Sequence, residues 1–188
     1  MRRLIAATVV WILIITSAQA SFAQTNLRLR GVGAKLGLVD PEHINSAIGF
    51  GGILELGTLL PGIHLEANID YWKKTDQTAN IRTRFRDTAA GGTLKFFFKT
   101  ANPSLRPFVA SGVALHFVKS SIPVEGPGGI FGSPNLESSD TKLGLDLGGG
   151  LNYHLNRQFD LFGDLRYRVV SDLNQFELKF GAMFHLPI

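Results

Sequence analysis

An all-β chain whose eight antiparallel strands close into an up-and-down transmembrane barrel is the fold this sequence predicts, and three features predict it. Apolar residues recur with period two over eight segments, each long enough to cross a bilayer when tilted. Prolines fall between those segments or at their ends, where no ladder donor is lost. The 21 glycines are spread along the chain, as close-packed strands accept and helix interiors do not.

The N-terminus stands apart. Arg2 and Arg3 precede an apolar run from Leu4 to Ile15, and small residues follow at Ala18-Gln19-Ala20 and Ser21-Phe22-Ala23. That order is a secretory signal peptide, and the run is too short to span a bilayer as a helix. Cleavage after Ala23 is preferred, with Ala20 as the alternative, so 1–23 is expected to be removed and 24–188 to form one domain. The net charge of +4 loses two arginines with the signal, which removes any electrostatic case for nucleic acid. The chain has no cysteine, so an exported domain of this size must be held by a core or by closure of its sheet.

The segments follow in order. Gly31–Val39 sets Val32, Ala34, Leu36 and Leu38 against glycines and Lys35. Ser46–Gly57 sets Ile48, Phe50, Leu54 and Leu56 against Gly49, Gly51 and Glu55. Ile63–Tyr71 alternates Ile63, Leu65, Ala67, Ile69 and Tyr71 with His64, Glu66, Asn68 and Asp70. Thr88–Phe98 places Ala90, Leu94, Phe96 and Phe98 opposite Gly91, Thr93 and Lys95. Pro107–Val118 is apolar or small on both faces; Val109, Val113, Leu115 and Phe117 are assigned outward, and Ala110, Gly112, Ala114 and His116 inward. Lys142–Leu155 is the clearest, with Leu143, Leu145, Leu147, Leu151, Tyr153 and Leu155 on one face and Asp146, Gly148, Asn152 and His154 on the other. Phe159–Val169 and Phe176–Ile188 repeat the pattern. Longer loops are expected over Lys73–Asp87 and Lys119–Thr141, the second containing the Gly/Pro/Ser-rich stretch Pro123–Ser139.

Charge decides which face meets the outside. Glu55, Glu66, Asp70, Lys95, Asp146, Asp164, Arg166, Arg168, Glu177 and Lys179 share the polar face, while the other face carries almost no charge. A soluble ligand-carrying barrel needs the reverse, an oily lumen and a polar exterior. The oily face is therefore assigned to lipid. Within the narrow lumen, Glu66, Asp146, Asp164, Arg166, Arg168, Glu177 and Lys179 are expected to pair as a network. Leu147 should face lipid near mid-membrane, and Gly148 beside it is expected to tolerate a serine.

Three segments carry a family resemblance: Pro107–Ala114, the glycine-rich Leu145–Tyr153, and the C-terminal strand. Together they resemble the small bacterial outer-membrane β-barrels, the group of the OmpA membrane domain and the OmpX-type and OmpW-type porin-like proteins. The resemblance implies a Gram-negative outer membrane and a last strand read by the barrel-insertion machinery. Leu178, Phe180, Ala182, Phe184 and Leu186 keep the required alternation, although Pro187 and Ile188 stand where the family ends on an aromatic.

Sites for chemistry are sparse. His64, His154 and His185 point inward near the periplasmic rim, on strands that are not neighbours, and are expected to be polar lumen side chains rather than metal ligands. Ser120, Ser121, Ser133, Ser138 and Ser139 lie in a stretch without histidine, so no nucleophile with its base is legible. Gly148-Gly149-Gly150 lies inside a strand and is no phosphate loop. No cofactor, metal or catalytic residue is expected. The expected role is structural or interactive, through the surface loops. A soluble periplasmic ligand-binding barrel and a lipid-A-modifying enzyme are the alternatives. Arg82, Arg84 and Arg86 share one face if their strand continues, and would then reach the phosphates of lipopolysaccharide just above the apolar band.

Overall fold

In the computed structural model the described residues are 26–42, 44–78, 81–123, 135–171 and 173–187. The predicted signal segment, His43, Ser133 and Ile188 lie outside them. Eight strands run β1 (Asn26–Pro41), β2 (Ala47–Leu60), β3 (Ile63–Thr78), β4 (Ile81–Phe97), β5 (Leu105–Pro123), β6 (Asn135–His154), β7 (Phe159–Val170) and β8 (Gln175–His185). Each pairs antiparallel with the next, and β8 returns to β1 from Gly31↔His185 to Pro41↔Gln175. The sheet is thus closed, with no free edge at membrane depth. Among the described residues no helix is long and apolar enough to cross a membrane. Strands make the crossing, and closure pairs the backbone groups that lipid cannot satisfy.

The predicted faces hold. Leu36, Ile48, Phe50, Ile69, Val113, Leu145, Leu147 and Phe180 are exposed on the outer wall, and Lys35, Glu66, Asp70, Asp146, Arg166 and Glu177 are buried inside. That polarity is opposite to a soluble carrier's and overturns the soluble alternative. Aromatic side chains gather towards the two rims of the apolar band, as in the Phe50–Tyr71 and Phe159–Phe184 ring pairs, each at 5.1 Å.

One turn and one bulge explain local register. Between β2 and β3, Pro61 and Gly62 make the reversal, and Gly62 has φ of 82°, a conformation that glycine adopts without a Cβ clash. Gly57, with φ of 99°, sits at the bulge where the pairing shifts from Glu55↔Glu66 to Gly57↔Leu65.

Where the structure describes them, both predicted long loops are strand; residues 124–134, most of the Gly/Pro/Ser-rich stretch, lie outside the described residues. Lys73↔Arg86 through Thr78↔Ile81 continue the β3–β4 ladder, and Lys119↔Ser139 through Pro123↔Asn135 continue β5–β6. Apolar alternation stops there because those residues have left the lipid, while the hairpin's own hydrogen bonds keep the pairing. Four strands therefore rise above the wall as one sheet. The opposite end carries the turn at Pro61–Gly62, the connections 98–104 and 155–158, the start of β1 and the end of β8. By the rule that the longer excursions face outward, the raised sheet is extracellular and the other end periplasmic.

Gly148 is not the tolerant site its sequence suggested. A β-carbon there would meet the Leu165 carbonyl and lie 2.9 Å from Cα and Cγ of Arg166. At Gly150 it would meet the Gly163 carbonyl and lie 2.7 Å from Cζ of Phe108. These two inward glycines leave the room that Arg166 and Phe108 fill. Depth is better tested along one face of one strand. Leu147 is 69% exposed at the centre of the apolar run, and Ser139 is an exposed outward residue above it. Leu147→Arg should destabilise the folded barrel in vesicles by roughly 2–4 kcal/mol, and Ser139→Arg by about 1 kcal/mol or less. Equal effects in urea titrations would place Leu147 away from the lipid core.

Candidate functional site: packed lumen and basic outer wall

From the extracellular end inward, the lumen opens on an apolar cluster: Val39, Ala47, Trp72, Val170 and Leu173, with Ile44, Phe85 and Val118 packed against it. Beneath it Trp72 Nε1 donates to Gln175 Oε1 at 3.0 Å. Asp87 Oδ2 lies 2.8 Å from His116 Nδ1, and both residues are buried.

The ionic layer follows. Asp70 gathers three cations: Lys35 at 3.0 Å, Lys179 at 2.9 Å and Arg168 at 3.2 Å. Arg168 also reaches Asp146 at 2.7 Å and Glu177 at 3.1 Å, and Lys179 reaches Glu177 at 2.8 Å. Arg166 binds Asp164 at 2.6 Å and donates to Thr93 Oγ1 at 3.1 Å. Lys95 pairs with Glu66 at 2.9 Å, its ammonium 4.6 Å from the Phe108 ring centroid and 5.0 Å from that of Phe162. Buried cations Lys35, Lys95, Arg166, Arg168 and Lys179 thus face carboxylates Glu66, Asp70, Asp146, Asp164 and Glu177, one for one. Unpaired charge would be costly at this depth; matched charge fills the space without it.

All seven residues predicted for the network lie in it. Lys35, Asp70 and Lys95 complete it, and Asp70 carries three ion pairs, as many as Arg168. Their parity on β1, β3 and β4 was the available signal. Their partners were not legible, because Asp70 and Lys179 are 109 positions apart and meet across the lumen.

Towards the periplasm, Ile53, Phe162 and Met183 form a second apolar cluster. A cavity of about 390 Å³ opens at the mouth and runs past Phe162 and Met183 to Glu66 and Lys95. Here the three inward histidines, on strands that do not touch, are joined through carboxylates. Glu55 lies 2.9 Å from His64 and 3.3 Å from His185. Asp160 lies 3.0 Å from His185 and 2.6 Å from His154. Among the described residues no group of three or more His, Asp or Glu side chains converges as a metal site.

On the outer wall β4 continues as a strand through the three arginines. Arg84 and Arg86 are exposed, and Arg82 stands opposite Gln77 in the ladder, its side chain outside the described ones. Alternation along β4 stacks Arg84 and Arg86 in a vertical column. The structure adds a horizontal row: Lys73 is directly opposite Arg86, and Arg86 directly opposite Lys119. With Arg84 these residues line a cavity of about 520 Å³.

The model of the outer membrane protein beta-barrel domain matches residues 8–185. The chain belongs to this family. It is an outer-membrane protein, and its fold agrees with solved members of that membrane. Neisserial surface protein A superposes with a TM-score of 0.62 at 20% identity, over 86% of this chain and 100% of that one. Ail, the attachment invasion locus protein of Yersinia pestis, gives 0.56 at 14% identity, over 84% and 97%. The N-terminal barrel domain of Pseudomonas aeruginosa OprF gives 0.55 at 15% identity, over 84% and 98%. Identities this low speak for the fold alone. Among curated protein sequences none matches the chain.

The Glu66–Lys95 pair tests the buried network. Lys95→Met and Glu66→Gln should each cost about 3–5 kcal/mol, since each strands a buried charge. The double variant should cost clearly less than their sum, as measured by urea unfolding in vesicles. Strict additivity would mean that the two groups are separately hydrated.

Proposed function

We propose that this protein is a non-conducting, non-catalytic outer-membrane barrel that works through what it presents outside: the four-stranded sheet above the membrane and the lipid-contacting wall. The observation that carries this reading is the filled lumen. Above the mouth cavity the interlocked ion pairs fill the lumen, and the apolar cluster of Val39, Ala47, Trp72, Val170 and Leu173 covers them on the extracellular side. The serines above the membrane support the non-catalytic part. Ser120, Ser121, Ser138 and Ser139 make no hydrogen bond to a histidine among the described residues, and His116 faces inward against Asp87.

The raised sheet is suited to contact. The edge of β3 is covered, because Lys74 Nζ donates to the Ser46 carbonyl at 2.7 Å and Asn45 Nδ2 to Asp76 Oδ1 at 2.8 Å. The ladder of β6 to β7 ends at Gly144↔Val170, so among the described residues β6 from Asn135 to Thr141 has no strand on that side. Such an edge offers unpaired backbone groups to a partner. Lipopolysaccharide is the proposed partner of the wall, and the insertion machinery that of β8, whose Leu178, Phe180, Ala182 and Phe184 keep the alternating outer face. The solved structure of Ail with a heparin analogue, sucrose octasulfate, concerns a protein of the same fold holding a polyanion.

Planar-bilayer recording of the purified protein tests the central claim. No discrete ohmic steps are expected. Stable steps that scale with protein concentration would overturn the filled-lumen reading.

A further inference from the structure

The outer wall holds an electrostatic arrangement that the barrel alone does not explain. Lys73 of β3, Arg86 of β4 and Lys119 of β5 occupy directly opposed positions on three neighbouring strands, and all three are exposed. Opposed positions stand about 5 Å apart, and like charges placed there destabilise the pairing. Arg84, two residues up β4, adds a fourth exposed cation, with Thr75 on one side and Ser121 on the other. No ion pair to any of the four is formed among the described residues, in contrast to the lumen, where every buried lysine and arginine has a carboxylate. The nearest carboxylate on the same face, Glu137, stands opposite Ser121, above the row, and lines the same cavity without forming an ion pair to it.

The height of the row narrows what could neutralise it. Two residues below it in each strand lie Tyr71, Thr88 and Phe117, the upper edge of the apolar wall. Two residues of tilted strand amount to about 5 Å. The cations therefore begin where hydrocarbon gives way to headgroups, and they point away from the barrel axis. A soluble anion would meet them only from the side, through the lipid headgroups. An anionic headgroup of the outer leaflet is already there. Guanidinium takes phosphate through two parallel hydrogen bonds, and two flanking ammonium groups supply the remaining charge.

We propose that Lys73, Arg86 and Lys119, capped by Arg84, form a phosphate-binding site on the outer wall that seats a phosphate of the lipid A headgroup of lipopolysaccharide. The proposal deepens the reading of the wall as a lipopolysaccharide contact and rests on it. It also replaces the column of three arginines with a row across three strands, in which two lysines from neighbouring strands do as much as Arg86. A phosphate there turns a repulsive cross-strand row into a clamp and fixes the vertical position of the barrel.

The test is equilibrium binding of purified lipid A to the detergent-solubilised barrel at moderate salt. Heat-modifiable gel mobility shows that each variant is folded. The triple variant Lys73→Gln, Arg86→Gln, Lys119→Gln should bind bis-phosphorylated lipid A at least tenfold more weakly than the wild type. Lys99→Gln, which removes an exposed charge at the periplasmic end, should bind as the wild type does. Arg86→Lys should fall between, because it keeps the charge and loses the bidentate geometry. Lipid A stripped of phosphate should bind wild type and triple variant alike. Inorganic pyrophosphate should compete only weakly, since the site is addressed from the membrane. Unchanged affinity in the folded triple variant, or an equal loss in Lys99→Gln, overturns the site. Pyrophosphate binding as tight as lipid A overturns the headgroup assignment. None of these results bears on conductance, so failure here leaves the filled-lumen reading intact.

Discussion

Closure of the sheet is the constraint on which the other features rest. A strand in lipid must find a partner for every N–H and C=O, and the pairing of β8 with β1 supplies the last set. Once the ring is closed at eight strands, its interior is just wide enough for side chains to fill and too large to leave empty. It has to be filled from inward positions alone, which are every second residue. Bulky filler at some of those positions requires absence at others. Arg166 and Phe108 occupy the space because Gly148 and Gly150 do not.

Lipid outside also inverts the usual logic of a core. The apolar face is needed by the membrane, so the polar face goes inside, where charge has to be matched. The matching is collective. Asp70 serves Lys35, Arg168 and Lys179, and Arg168 in turn serves Asp146 and Glu177. Residues from five strands are tied in this way, which adds cross-barrel links to the ladder around its circumference. Apolar clusters flank the layer on both sides, and burial at low local dielectric strengthens its pairs. At the periplasmic mouth, histidines partner Glu55, and Arg106 joins two histidines around Asp160.

The raised sheet follows a different rule. Above the headgroups water can satisfy the backbone, so β3 to β6 can continue without partners on both sides. The same release from lipid ends the apolar alternation, and basic residues gather where the wall meets the headgroups. The contrast between paired cations inside and unpaired ones on the wall is what distinguishes a structural charge from one available to a ligand.

The sequence by itself determined the number of strands, their outward faces, the membrane location and the seven named members of the ionic layer. It could do so because alternation is local: each residue's side follows from its neighbour's, and a charge-free face declares its solvent. Tertiary structure decided what depends on register between strands distant in the chain. Only the closed barrel brings Asp70 to Lys179, joins His64, His185 and His154 through Glu55 and Asp160, and shows that Lys73–Asp87 remains a ladder. Gly148 illustrates the difference. Its sequence position says that it faces the lumen, but whether a side chain fits there depends on Arg166 of the neighbouring strand, and contact across strands is not written in the alternation of either one.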